Sequence, residues 1–195
     1  MAIEDSELIV RALDGSESAY RGLVERYQRP IYSLLLRMVR DAALAEDLAQ
    51  EVFVKAIRAL HTFDRRRQLS SWLFKIAHNT AIDHLRRNEP PTVPLESPDP
   101  ERPGPLDLIA SSTQETPESR ASRRDLAAAI VGAVEALRPE YREVVVLRFE
   151  QGLAYEEIAE VTGLPLGTVK THIFRARKLL VRQLESEGWR PGESR

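Results

Sequence analysis

Residues 155–182, YEEIAEVTGLPLGTVKTHIFRARKLLVR, read as two helices broken by a tight turn. The spacing predicts a short amphipathic helix over 155–161, with Ile158, Ala159 and Val161 available to face inward. Gly163 can take a positive φ without steric cost and so ends that helix. Pro165 has its φ already fixed and suits the start of the next helix, from about Leu166. Val169, Ile173 and Leu180 follow at helical spacing and can pack back on the first helix, where Ala159 is small enough for a close approach. This is a helix-turn-helix layout.

The remaining face of the second helix is basic. Thr168, Lys170, Thr171, His172, Arg175, Arg177, Lys178 and Arg182 are donors or cations, and no carboxylate lies between Glu160 and Glu185. The whole chain carries a formal net charge of -2, so this is a local asymmetry of the kind phosphate binding needs. Hydroxyls and long cations near the helix start suit base edges, and later arginines suit phosphates. A solvated basic helix face is the bland alternative. The turn and the Gly-Thr-Val-Lys start beside it favour duplex DNA binding.

Working outward, 195 residues allow one large domain or two small ones, and a hydrophobic content of 43% is enough for real cores. Strand-forming runs are few. No apolar run reaches the roughly 18 residues of a membrane span, and the acidic MAIEDSELIV start lacks the basic region of a signal peptide. Cysteine is absent, which removes disulfides and thiolate metal sites. A cytoplasmic protein is the simplest fit.

Upstream, Leu8, Ile9 and Leu13 form a first helical stripe, broken at Asp14-Gly15-Ser16 with Ser16 as the next N-cap. Tyr20, Leu23, Val24 and Tyr27 continue it, Pro30 is expected to kink or restart the helix, and Ile31, Leu34, Leu35, Met38 and Val39 follow. Asp41 caps a strongly amphipathic helix with Leu44, Leu48, Val52, Ala56 and Leu60 in one stripe, widened by Phe53 and Ile57. Asp47, Gln50, Glu51, Lys55 and Arg58 lie on the other side, a face the residues alone describe as solvated.

After His61-Thr62-Phe63-Asp64, the run Arg65-Arg66-Arg67-Gln68 opens a basic loop. Ser70 or Ser71 can cap a helix from Trp72 to about Arg87 whose buried side uses Leu73, Ile76, Ala77, Ala81 and Leu85. Trp72, Lys75, Asn79, Asp83 and Arg86 recur at steps of three or four and share a face. An aromatic, an amide and cations together suit unstacked bases and a phosphate backbone. Trp72 reads equally as a core residue, and the two roles are compatible.

Residues 88–124 change character, with eight of the twelve prolines and sparse large apolar residues. Such a stretch cannot bury enough surface to offset its ordering entropy, so a flexible extended linker is expected, with a reach on the order of 120 Å. A second module starts near the Asp125 cap with the stripe Leu126, Ala129, Ile130, Ala133, Val134 and Leu137. Pro139 begins a further helix with core candidates Tyr141, Val144, Val145 and Phe149, and Gly152 stops it. The reading is therefore all-α: residues 1–89, a flexible Pro-rich linker at 90–124, a helix-turn-helix domain at 125–186 and a disordered tail at 187–195.

Three stretches in this order resemble a known family. DAALAEDLAQEVFVKAIRAL, FDRRRQLSSWLFKIAHNTAIDHLRR and LRPEYREVVVLRFEQGLAYEEIAEVTGLPLGTVKTHIFRARKLL are similar to segments of the extracytoplasmic-function (ECF) sigma factors of bacterial RNA polymerase. The resemblance implies that the first docks on the polymerase clamp, the second reads and opens the promoter −10 element, and the third reads the −35 element. It assigns Asp47, Gln50, Glu51 and Lys55 to the β and β′ subunits of core polymerase, which reverses the bland reading of that face. It assigns Asp64, Arg65, Arg66, Arg67, Gln68 and Leu69 to the loop that captures a flipped base, joined by Trp72, Lys75, Asn79 and Arg86 on the same single strand. It places Thr168, Lys170, Thr171, His172, Arg175 and Lys178 at the −35 major groove. The linker would thread near the active cleft and the RNA exit path. Promoter DNA, core polymerase and an anti-sigma factor are the implied partners, with no cofactor, metal or catalytic residue. Three departures stand out: Ala154 where relatives often have a capping Ser or Thr, His172 where many have Arg, and a long proline-rich linker.

Two other readings compete. VKTHI is also at home in LuxR-type regulators, but those need a receiver or ligand domain upstream, and residues 1–90 show helices without its alternating strands. A metalloenzyme could draw on His78, Asp83 and His84, or on Asp47 and Glu51. His78 and His84 are six apart and diverge around a helix, and no phosphate loop, nucleophile elbow or HExxH occurs.

Overall fold

The computed structural model describes residues 4–88 and 117–189, and the side chains of 4–87 and 124–189. The expected linker falls mostly outside them. Eight α-helices and no strand occur among the described residues.

In the first module, α1 (Asp5–Leu13) buries Leu8, Ile9 and Ala12. Leu13 is 36% exposed instead, because Ala12 takes the inward position of the last turn. α2 (Glu17–Val39) begins at Ser16, whose hydroxyl pairs with Ser18 at 3.0 Å rather than capping a backbone N–H. α2 runs through Pro30 without restarting. Tyr27, Ile31, Leu34 and Leu35 are buried on either side of the proline. At about 1.5–3 kcal/mol for each large side chain, that burial outweighs the roughly 3 kcal/mol cost of a mid-helix proline. Asp41 caps α3 (Ala42–Ala59) by accepting from the Leu44 N–H at 3.0 Å. Ala45, Leu48, Val52 and Ala56 are its buried stripe, while Ile57 stays 43% exposed. A single 3-10 turn (Leu60–Thr62) leads to the basic loop and α4 (Leu69–Asn88). α4 buries Leu69, Leu73, Phe74, Ala77 and Ala81 against α2 and α3.

The second module starts at Pro117 rather than at Asp125: α5 spans Pro117–Ala136, and proline is at ease in the first helical turn. Ala133, Val134 and Leu137 are buried, and Ile130 is 43% exposed. α6 (Pro139–Val145) passes into a π turn (Val146–Glu150). The extra residue in that turn brings Val146 and Leu147 into the core and turns Phe149, expected inside, to 45% exposure. α7 (Tyr155–Thr162) and α8 (Leu166–Ser186) complete the module. Gly188 (φ +89) and Trp189, whose N–H donates to the Leu184 carbonyl at 2.9 Å, close α8, so the first residues past 186 form a helix cap.

The two modules pack on each other, α4 against α7 and α2 against α6. The first module contributes mostly cations and the second mostly carboxylates. Arg37, 17% exposed, meets Glu135 at 2.7 Å and Glu150 at 3.4 Å. Ser33 donates to Glu150 at 3.1 Å, Arg67 pairs with Glu160 at 3.0 Å, and Ser71 donates to Glu157 at 2.8 Å. His78 meets Glu143, and Arg40, at φ +58, donates to the Glu135 carbonyl. Arg142, 3% exposed, donates to the Arg37 carbonyl of α2 and to the Leu137 carbonyl past the end of α5, both at 2.7 Å. Carbonyls in the last turn of a helix lack helical partners and sit at the negative end of its dipole, which suits a guanidinium.

Candidate nucleic-acid interface

The turn between α7 and α8 is built as its sequence requires. Gly163 takes φ +73 and its N–H donates to the Ala159 carbonyl at 2.9 Å. Ala154 stands at the N-cap of α7 with no side-chain acceptor, and its own N–H is taken by the Glu157 carboxylate at 2.7 Å, half of a capping box. The Arg148 guanidinium lies 5.1 Å over the Tyr155 ring and donates to the Leu153 carbonyl at 2.9 Å, which fixes the entry to α7.

α8 buries Val169, Ile173 and Ala176. Leu180, expected in that stripe, is only partly buried. Lys170 and Lys178 are exposed, and Thr168, Thr171 and Arg175 are half-buried. The Thr171 hydroxyl donates to the Gly167 carbonyl at 2.9 Å, leaving its methyl and a lone pair outward. His172 differs from the outer-face expectation. Its ring meets Tyr141 edge-on at 5.2 Å, and its Nδ1 is buried without a partner. Burial pushes the His172 pKa below the ordinary histidine value, with Glu140 opposing and Arg175 reinforcing the shift. The ring thus packs α8 onto α6 instead of standing on its outer face.

In the first module the basic loop is pinned by Asp64. Its carboxylate accepts from the Arg66 backbone N–H at 3.1 Å and from both Nε and a terminal nitrogen of Arg66 at 3.0 Å. These bonds hold the Asp64 carboxyl below the usual carboxylate range. Arg65 and Gln68 are exposed, and Arg67 reaches Glu160. Leu69 belongs to the core at 3% exposure and opens α4. The expected cap at Ser70 or Ser71 thus falls inside the helix, and Ser71 serves the module contact.

Along α4, Lys75, Asn79, Asp83 and Arg86 are all exposed on one face. Trp72 does what both readings allowed: it packs on Phe63 at 5.2 Å with a 54° tilt and remains partly exposed. It also lines an apolar cleft with Tyr20, Leu23, Phe53 and Ile57. The structure therefore brings an indole, an amide and two cations onto one face of α4, the helix into which the basic loop leads.

On α3, Asp47, Gln50 and Glu51 are exposed. Glu51 pairs with Lys55 at 2.7 Å, which lowers the Glu51 pKa. Lys55 Nζ also donates to the Thr80 hydroxyl at 3.1 Å, so Lys55 ties α3 to α4 besides standing at the edge of the polar face. Arg37 and Arg142 were absent from the sequence expectations. Both lie off the apolar stripes of their helices; Arg37 finds its carboxylate partners in the second module, and Arg142 bonds both the Arg37 carbonyl across the contact and the Leu137 carbonyl of its own module.

Among the described residues, a helical module carrying an indole, an amide and cations on α4 is joined to a helix-turn-helix module with a basic α8. Residues 23–90 match the family description Sigma-70 region 2, and residues 127–180 match Sigma-70, region 4. The chain is 37% identical over 188 residues to the RNA polymerase sigma-H factor of Pseudomonas aeruginosa, covering 93% of this chain and 94% of that one. It is 35% identical to the ECF RNA polymerase sigma factor SigW of Bacillus subtilis over 182 residues, 87% of this chain and 91% of the relative. A solved structure of CnrH in complex with the cytosolic domain of CnrY superposes with TM-score 0.64 at 26% identity, over 94% of this chain and 98% of that chain. The chain belongs to the sigma-70 family and is an ECF sigma factor, a transcription-initiation factor. The region 2 match over 23–90 occupies the place where a LuxR-type regulator would carry its sensing domain.

Proposed function

We propose that this chain binds core RNA polymerase through α3, reads and opens the −10 element with the 64–68 loop and α4, and reads the −35 element with α8. Asp47, Gln50 and Glu51 meet the β and β′ subunits, with Lys55 holding α3 in register against α4. Arg65, Arg66, Arg67 and Gln68 surround the flipped base, and Asp64 keeps the loop in shape. Trp72, Lys75, Asn79 and Arg86 take the same single strand. Extracting a base costs a few kcal/mol of stacking, which a stacking surface, an amide and phosphate-binding cations together offset. Thr168, Lys170, Thr171, Arg175 and Lys178 enter the −35 groove, and His172 and Leu69 place the reading elements from behind. The factor works on polymerase in the cytoplasm, carries out no chemistry itself, and is held in check by an anti-sigma partner.

The observation that carries this reading is the exposed Lys75-Asn79-Arg86 face on α4, with the half-buried Trp72 at its start, in the same chain as the basic α8. Substitution separates the two readers. Lys75→Ala and Asn79→Ala in the holoenzyme should slow promoter opening, followed by permanganate reactivity of unpaired thymines, about tenfold or more while leaving closed-complex affinity nearly intact. Arg175→Ala should weaken closed-complex binding and lower the salt slope by about one. Equal defects in both steps for all three variants would refute the division.

A further inference from the structure

A cation outside α8 stands beside its reading flank. His172 lies four residues after Thr168 and three before Arg175, so the three share one side of α8. On that side the His172 ring meets Tyr141 of α6 edge-on at 5.2 Å, and the Arg138 guanidinium lies 5.9 Å over the Tyr141 ring. Tyr141 is buried, whereas the Arg138 side chain is 66% exposed. The charges of Arg138 and Arg175 both disfavour protonation of His172, as expected of two cations that converge on one place.

The backbone of Arg138 is fixed. Leu137 before it is buried, and Pro139 after it holds Arg138 extended, at ψ 148°. The Arg138 carbonyl accepts from the N–H groups of Tyr141 and Arg142 at 3.1 and 2.9 Å. The guanidinium is braced by the Tyr141 ring and by the Glu140 carboxylate, 2.8 Å from Nε. A major groove is about 12 Å wide. With α8 in it, a side chain one aromatic stack away from the helix stands at the groove wall, where the phosphates are. Resting on the −35 reading of α8 above, we infer that Arg138 is a further DNA contact, gripping a backbone phosphate at the edge of the −35 box. Such a contact adds affinity and fixes register without reading a base. Tyr141 links this grip to the recognition helix through His172. Glu140 competes with the phosphate, but a pair this exposed is weak, and a charge-assisted bond to phosphate replaces it.

The test is closed-complex binding by the holoenzyme on promoters recovered from a random pool, measured between about 50 and 200 mM salt. Arg138→Ala should weaken binding about threefold or more and lower the salt slope by about one. The factor lost should be the same on promoters whose −35 bases differ, because a phosphate contact carries no sequence information. Arg138→Lys keeps the charge and should stay within about twofold of the parent. Arg21→Ala on α2 removes a similarly exposed cation, paired with Glu17, and should leave the slope unchanged. A slope unmoved by Arg138→Ala, a loss that varies with the −35 bases, a loss as large for Arg138→Lys, or an equal loss for Arg21→Ala would each overturn the contact. If Arg175→Ala also left affinity and slope unchanged, the −35 reading of α8 would itself fall, and the Arg138 contact with it.

Discussion

His172 shows how one side chain changes role once its surroundings are known. By sequence it lies among donors on the basic face of α8. In the structure its ring rests on Tyr141 and burial favours the neutral form. A histidine whose folded pKa is depressed binds fewer protons folded than unfolded, so stability rises with pH through the ordinary histidine range. Lowering pH through the unfolded value near 6.5 should therefore lower the melting temperature of the parent chain, and His172→Phe should flatten that dependence. A melting temperature that rose on acidification would contradict the packing of this ring. Leu69 and Trp72 carry the same lesson. The apolar member of the loop, Leu69, anchors it from the core, while Trp72 divides its ring between core and surface. Helical spacing identified the exposed faces of α4 and α8, because periodicity alone assigns faces. It could not assign His172, because only tertiary packing tells which side of a boundary residue is wet.

At the scale of elements, the helix-turn-helix, the Asp41 cap of α3, and the Gly163 and Gly152 stops were legible because each rests on local backbone chemistry. Errors arose where burial overrode local preference. Pro30 reads as a break, yet α2 continues because the buried stripe spans it. Phe149 reads as core, yet the π turn shifts the register by one residue and Val146 and Leu147 replace it. A π turn has no sequence signal as plain as a proline or glycine. Ala154 leaves α7 with one half of a capping box. Ala154→Ser should supply the other half and stabilise the second module by about 1 kcal/mol, read as a shift in the midpoint of urea unfolding. An unchanged or lower midpoint would mean that the α7 start is already satisfied by other means.

For the whole molecule, the sequence indicates two helical modules and leaves their mutual placement open. The contact is made by Arg37, Arg142 and scattered carboxylates, residues that a helical-periodicity reading assigns to solvent. Arg142 bridges the modules by donating to the Arg37 carbonyl and holds α5 by donating to the Leu137 carbonyl. Hydrogen bonds from a charged donor contribute about 1.5–3 kcal/mol each. Arg142→Ala should lower overall stability by about 2 kcal/mol or more, and limited proteolysis should cut between the modules faster. Unchanged stability would show that the guanidinium is not structural.

The most direct test of the sigma-factor account is run-off transcription by purified core RNA polymerase, with and without this chain, on a pool of random promoters. The account predicts that the chain binds core and that its start sites share two boxes, upstream and near the melted region. Duplex DNA binding without core binding, or start sites that share no boxes, would contradict it.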